Sequence, residues 1–238
     1  MQEHQIIAKI QNLYNKYLNL KNCLFPCRHY VILFLSLAFH KIEFMNKLKN
    51  VAVFCGASQG RDDVYGEVAK QLARYLVEND ITMINGGGSI GIMGIMADEM
   101  IKLGGKCIGV IPLHLKELEV AHQNMNEMIV THDMASRMKV IMEMADAYIT
   151  LPGGFGTLDE LFEVLTLSQL NVHDGPIGLL NVNGFFNPIF DMFNTMISEG
   201  FLGDYSKNIL LVDDDIESLF DKMKNYKKEG FALQKIVT

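Results

Sequence analysis

The chain has 238 residues, 49% of them hydrophobic, enough to bury a full core as one large domain or at most two. Its formal charge of −7 excludes any general attraction to nucleic acid or to an anionic membrane, so an anionic ligand has to be held by a local site. Four cysteines, Cys23, Cys27, Cys55 and Cys107, are too few and too scattered for a disulfide scaffold, and no Cys or His cluster has zinc-ligand spacing. No metal is expected, and a reducing cytoplasm is the compartment expected.

The first elements are the least regular. IIAKIQNLYNKYLNLKNCLFPCRHY has no clean period, and the apolar run YVILFLSLAF (30–39) is too short to cross ~30 Å of hydrocarbon as a helix. No small-residue cleavage pattern follows it, so neither a membrane span nor secretion is expected. Composition changes abruptly around MNKLKNVAVFCGAS. Residues 1–45 are therefore expected to be an N-terminal extension and residues 46–238 the functional domain. Met45 stands where an initiator methionine would, which makes a wrongly assigned start one account of the upstream segment. A helical arm docked on the domain or on a partner chain is the other.

From Val51 onward, strand and helix patterns alternate. The first strand is VAVFC (51–55), followed by a helix over 64–79, strand ITMIN (81–85), a helix over 92–104, and strands CIGVI (107–111) and MIVT (128–131). A helix over 135–146, strand AYITL (147–151), a helix over 157–170, and strands PIGLL (176–180) and ILLV (209–212) complete the series. The strands are continuous apolar runs, as expected when both faces are covered, and the helices carry apolar residues at three- and four-residue spacing. This predicts an α/β fold: a doubly wound, Rossmann-like parallel sheet flanked by helices, in a single domain with right-handed crossovers.

Three glycine-bearing turns follow predicted strands: CGAS (55–58), NGGGSIGIMG (85–94) with Gly87, Gly88 and Ser89, and PGGFGT (152–157). In an open parallel sheet the ligand crevice lies at the carboxyl ends of the strands, so the three turns should converge on one site. Bare backbone permits close approach, and each helix start offers unpaired N–H groups, a cradle for phosphate. The bland account is a set of tight connections, since GGGSIGIMG is neither a Walker A sequence nor a dinucleotide fingerprint. Thr157 and Glu160 have the spacing of a capping box, which would start a helix but would ask nothing of Gly153, Gly154 and Gly156. Asp159, Glu160 and Glu163 add three acids near that helix start, where the dipole favours acids in any case.

GGGSIGIMG, DMASR (133–137), LPGGFGTLDELFEVLTLSQL and HDGPIGLLN (173–181), in unbroken order between about Val51 and Val212, resemble the LONELY GUY family of cytokinin riboside 5′-monophosphate phosphoribohydrolases, long mislabelled as lysine decarboxylases. The first 44 residues have no counterpart. The resemblance implies a doubly wound fold and a homodimer with sites near the subunit interface. It also implies cofactor-free hydrolysis of the N-glycosidic bond of an adenine nucleoside monophosphate to free base and ribose 5-phosphate. Carried over, the catalytic pair falls on Arg137 and Glu160, and the nucleotide-binding set on Glu119, on Gly153, Gly154, Phe155, Gly156, Thr157, Leu158 and Asp159, and on Thr166. The family's usual lysine after the arginine is here Met138, with Lys139 next.

The chemistry is coherent. Glycosidic cleavage passes through an oxocarbenium-like state, which a carboxylate such as Glu160 stabilises while orienting or activating water. Arg137 suits phosphate or carboxylate, through two parallel hydrogen bonds. A structural ion pair between the two is the competing account, and a noncatalytic nucleotide or pterin carrier of the same fold is the alternative function. A decarboxylase finds no support, since nothing resembles a pyridoxal-phosphate lysine site. His114, His122, His132 and His173 are not at metal spacing and are expected at the surface or in supporting positions. Asp213, Asp214 and Asp215 are expected to begin a helix rather than bind a metal.

Overall fold

The computed structural model describes residues 48–118 and 121–228; the expected N-terminal extension and Glu119 lie outside the described residues. Along the chain run β1 (Asn50–Phe54), α1 (Val64–Glu78), β2 (Thr82–Asn85), α2 (Gly91–Lys102), β3 (Cys107–Pro112), α3 (Leu113–Glu117) and β4 (Glu127–Thr131). Then come α4 (Met134–Met144), β5 (Ala147–Thr150), α5 (Phe155–Gln169), β6 (Ile177–Leu180), α6 (Asn187–Ser198), β7 (Leu210–Asp213) and α7 (Ile216–Lys224). All seven expected strands are present, each within a residue or two of its predicted bounds, and every pairing is parallel.

The spatial order is β4-β3-β2-β1-β5-β6-β7. The chain builds outward from β1 to one edge, then crosses back to place β5 on the other side of β1 and builds to the opposite edge. The connections after β1 and β5 therefore leave in opposite directions, and the crevice between them is where a doubly wound sheet takes its ligand.

Successive strand side chains point to opposite faces, so the central strands feed two cores. Val51, Val53, Met83 and Ile149 pack under Leu72, Met96 and Phe220 of α1, α2 and α7. Ala52, Phe54, Ile84 and Tyr148 pack under Ile141, Leu161 and Val164 of α4 and α5. Burial on both faces explains why β5 has no exposed residue and why its sequence shows no alternation. The start of β1 is tied down by a side chain: the N–H groups of Lys49 and Asn50 both donate to Asp146 Oδ2, at 3.0 and 2.8 Å.

One local expectation is corrected. The Thr157–Glu160 capping box does not form. Gly154 takes the extended N-cap conformation, α5 begins at Phe155 with no side-chain cap, and Thr157 falls inside the first turn, with Glu160 drawn sideways to another helix. A reciprocal capping box occurs instead at α4, where Asp133 Oδ1 accepts from Ser136 N–H at 2.8 Å and Ser136 Oγ accepts from Asp133 N–H at 3.0 Å. In addition, α6 is a helix the sequence did not announce, begun by Pro188 in its first turn, where a missing N–H costs nothing. The acidic triplet behaves as expected: Asp215 caps α7 by accepting from Ser218 N–H at 2.8 Å.

Candidate active site

The three glycine turns meet in one cleft of about 630 Å³ at the β1/β5 switch point. Its size falls in the range of small-molecule sites, roughly 300–1,000 Å³. The turns are locked together through their backbones. Gly56 N–H donates to Pro152 O at 3.1 Å, and Met93 N–H donates to Gly56 O at 3.3 Å. At Gly91, φ is +66° and a Cβ would lie 2.2 Å from the carbonyl carbon of Ala57, so only glycine lets α2 start against the β1–α1 turn.

Not every glycine has such a reason. Gly154 and Gly156 have negative φ and nothing within 4 Å of where a Cβ would stand. Neither strain nor packing requires them. Both line the cleft at the start of α5, where backbone N–H groups lack intrahelical partners.

The ionisable side chains on the cleft wall are Arg137, Glu160, Cys55 and Tyr65. The α4 capping box sets the first turn from which Arg137 reaches inward, and the residue is only 7% exposed. Its Nε donates to Val110 O at 3.0 Å and its Nη2 donates to Glu160 Oε1 at 2.7 Å, so one guanidinium bridges β3 and α5. Room for it exists because residue 86 is glycine: a Cβ there would sit 2.2 Å from Nη2. Glu160, 8% exposed, has its carboxyl pushed up to about 7. Burial is the main cause; the Arg137 charge opposes it, and Asp159 and Glu163 add to it. The Cys55 thiol, at the end of β1, is also pushed up by burial, with Glu160 adding and Arg137 opposing.

Of the residues singled out in the sequence, the structure brings Arg137, Glu160, Gly88, Gly153, Gly154, Phe155, Gly156 and Thr157 onto this cleft. Gly87 and Ser89 are not on its wall. Gly87 has φ +73° and accepts from His122 N–H at 2.8 Å, which ties the second glycine turn to the segment around Ala121. Leu158 packs on the core beside α4. Met138 and Asp159 line a smaller cavity that shares Arg137 and Glu160 with the cleft. Thr166 opens on a separate apolar hollow of about 350 Å³ between α5 and α6, with its hydroxyl donating to Phe162 O at 2.7 Å. That hollow holds one ionisable side chain, Lys207, and lacks the combination of charge and bare backbone found in the cleft.

The CGAS turn, expected at the site, lines it from Cys55 to Ser58, while sequence reading left out several other wall residues, namely Gln59, Gly60, Tyr65, Leu115, Met134 and Phe185. Tyr65 and Phe185 meet edge to face with centroids 6.0 Å apart, a long-range contact no local pattern announces. Among the described residues no His, Cys, Asp and Glu group is arranged to hold a metal ion, and no helix is long and apolar enough to cross a membrane. His122, buried, is held between Asp98 Oδ1 at 3.1 Å and the N–H of Asn124 at 3.2 Å.

The profile of the family described as "Possible lysine decarboxylase" matches residues 93–223. A probable cytokinin riboside 5′-monophosphate phosphoribohydrolase of Oryza sativa subsp. japonica is 36% identical over 184 residues, 77% of this chain and 75% of that protein. A cytokinin riboside 5′-monophosphate phosphoribohydrolase of Arabidopsis thaliana is 37% identical over 185 residues, 78% of this chain and 87% of that protein. The chain belongs to the LONELY GUY family. The α/β sheet also resembles solved structures whose relation is one of fold alone. They include the molybdenum cofactor binding protein of Rippkaea orientalis (TM-score 0.57, 20% identity, 74% of this chain and 96% of that one) and the molybdenum cofactor carrier protein of Chlamydomonas reinhardtii (TM-score 0.56, 19% identity, the same coverage). Within the LONELY GUY sequence pattern, PGGFGT supplies the start of α5 and the arginine and glutamate supply the buried pair.

Proposed function

We propose that this chain is a hydrolase of N-glycosyl bonds that converts cytokinin riboside 5′-monophosphate, or AMP, into free base and ribose 5-phosphate, in a domain running from about Asn46. The observation that carries the reading is the buried Arg137–Glu160 pair, 2.7 Å apart, set into a cleft walled by three bare turns. The names of the relatives support the same substrate class. The phosphate of the substrate lies against the N-terminus of α5, where the open positions at Gly154 and Gly156 admit its oxygens to backbone N–H groups. The ribose then faces Glu160. As the C1′–N9 bond breaks, the base leaves with the electron pair and takes a proton from solvent, matched by the proton that Glu160 takes from the attacking water and returns to solvent, while positive charge spreads over C1′ and the ring oxygen. The Glu160 carboxylate stabilises that charge and takes a proton from the attacking water, whose oxygen bonds to C1′. Arg137 holds the carboxylate in place with a charge-assisted hydrogen bond from Nη2 while its Nε is anchored to Val110 O. No step calls for a cofactor.

The carboxylate is the active form in this scheme, and its proton is held up to about 7. Activity therefore rises with pH through the neutral range and levels off above it.

The direct test is chromatography of the bases released by purified protein from a panel of N6-modified and unmodified nucleoside 5′-monophosphates. Saturable binding with no base release would favour the carrier. We place the enzyme in the cytoplasm, in keeping with the free buried thiols of Cys55 and Cys107. We take it to be a homodimer, in keeping with Phe155 and Phe201 standing 93% and 87% exposed. Light scattering of the same preparation should give twice the chain mass.

Gly154→Ala separates function from folding. With free space at the Cβ position and an extended backbone, the variant should keep native stability, yet the added methyl stands where the phosphate approaches. The KM should rise by about tenfold, the loss of one to two kcal/mol of binding. An unchanged KM would remove phosphate from this turn.

A further inference from the structure

The Arg137–Glu160 pair has a second side. A cavity of about 190 Å³ shares Met134, Arg137 and Glu160 with the cleft and is otherwise walled by Ala135, Met138, Asp159 and Glu163. The ion pair is thus the partition between the substrate cleft and a small acidic chamber. Three carboxylates line that chamber against one cation, and the cation is already committed to Glu160 and to Val110 O. Position 138 brings no charge, and Lys139, the next residue on α4, is exposed beside Glu143 at 3.9 Å. On α5, residues 160 and 163 are one turn apart, so their side chains are neighbours, and residue 159 stands one turn from 163 on the same flank.

The charged and titratable groups that face Glu160 are few: Arg137 from α4, Cys55 from the end of β1, and Asp159 and Glu163 from its own helix. Of these, Glu163 alone lies off the cleft wall and outside the set carried over for substrate binding. Its own carboxyl, although exposed on one side to solvent, is pushed up, by partial burial first and by Asp159 second. We propose that Glu163 is a positioning residue of this enzyme: standing one helical turn from Glu160 on the wall of the cavity they share, its negative charge adds to what keeps Glu160 from meeting the substrate as a carboxylate at lower pH. A negative charge at 163 disfavours a second one at 160 and holds the proton on Glu160 to higher pH; removing it releases that proton earlier. The effect tunes the site to respond to pH across the neutral range.

The inference rests on Glu160 acting as the carboxylate of the proposed reaction, and the test keeps the two apart. Profiles of kcat/KM against pH would be measured for the native protein and for Glu163→Gln, Glu163→Lys and Glu163→Asp. Glu163 is exposed, so all three variants should fold. Glu163→Gln is expected to raise kcat/KM at pH 6 by about two- to threefold, the effect of one like charge at helical-neighbour distance in a partly solvated site, and to leave the value at pH 8.5 unchanged. Glu163→Lys should move the rising limb further the same way, and Glu163→Asp should restore the native profile. Superimposable profiles, or a uniform loss at every pH, would overturn the inference while leaving the hydrolase reading intact, provided Glu160→Gln is inactive. Turnover that survives Glu160→Gln would overturn both.

Discussion

Glu160→Gln is expected to lower base release by about 10²- to 10⁴-fold, the range over which a positioned acid–base group accelerates proton transfer. The substitution keeps the shape of the side chain, and the glutamine amide oxygen can still accept from Arg137 Nη2, the bond that measures 2.7 Å in the native protein. What disappears is the negative charge that, in the proposed reaction, meets the oxocarbenium-like state. Nucleotide binding should change by less than about threefold, because the proposed phosphate cradle is the backbone at the start of α5 rather than residue 160. Whatever turnover remains should have lost the rise through neutral pH, since the group held up to about 7 is gone. Circular dichroism and nucleotide affinity would be measured beside the rate. Native turnover in a folded variant would remove Glu160 from the chemistry.

Much of this arrangement was legible in the sequence, and the parts that were not share a physical cause. The inner strands could be read because a strand covered on both faces is an uninterrupted apolar run, the edge strands β4 and β7 because they are still short apolar runs, and the turns because glycine after such a run at the carboxyl end of a parallel sheet has few other uses. Strand order is different. Nothing local distinguishes a β5 that pairs with β4 from one that crosses back to β1, yet that crossing places PGGFGT beside CGAS. The pairing of Arg137 with Glu160 spans 23 residues and rests on the gap at Gly86, a third element again.

Helix starts misled for another reason. Thr157 and Glu160 have cap spacing, but a capping box requires the threonine to sit outside the helix, and Gly154 had already begun it. The family resemblance named more candidate site residues than spacing could, and the structure shows which of them share a wall. Phe155, Gly156 and Thr157 line the cleft, Met138 and Asp159 the chamber behind it, and Thr166 a hollow on the far half of α5. Residues on one helix at successive turns are carried away from a single cleft by the rise of about 5.4 Å per turn, so a motif continuous in sequence need not be continuous in function.

Arg137→Ala should be the more damaging substitution overall, because it affects both stability and chemistry. The two side chains of the pair are 9% and 11% exposed, and removing one partner of a buried pair leaves the other uncompensated, at about 3–5 kcal/mol. Thermal or denaturant unfolding should show that loss. Base release should fall by at least about 10²-fold, since Glu160 loses its orientation. Because Arg137 is the charge that holds the Glu160 proton down, the residual activity should rise only at higher pH than in the native protein. Arg137→Lys would keep the charge but not the fork that reaches Val110 O and Glu160 together, so it should recover stability only in part. The double variant Arg137→Ala with Glu160→Gln then distinguishes an ion pair kept for folding from one kept for reaction. With no buried carboxylate left unpaired, stability should return toward that of Glu160→Gln alone, while base release should stay at the level of the weaker single variant. Recovery of turnover along with stability would mean that the pair holds the two helices together and that the chemistry lies elsewhere in the cleft.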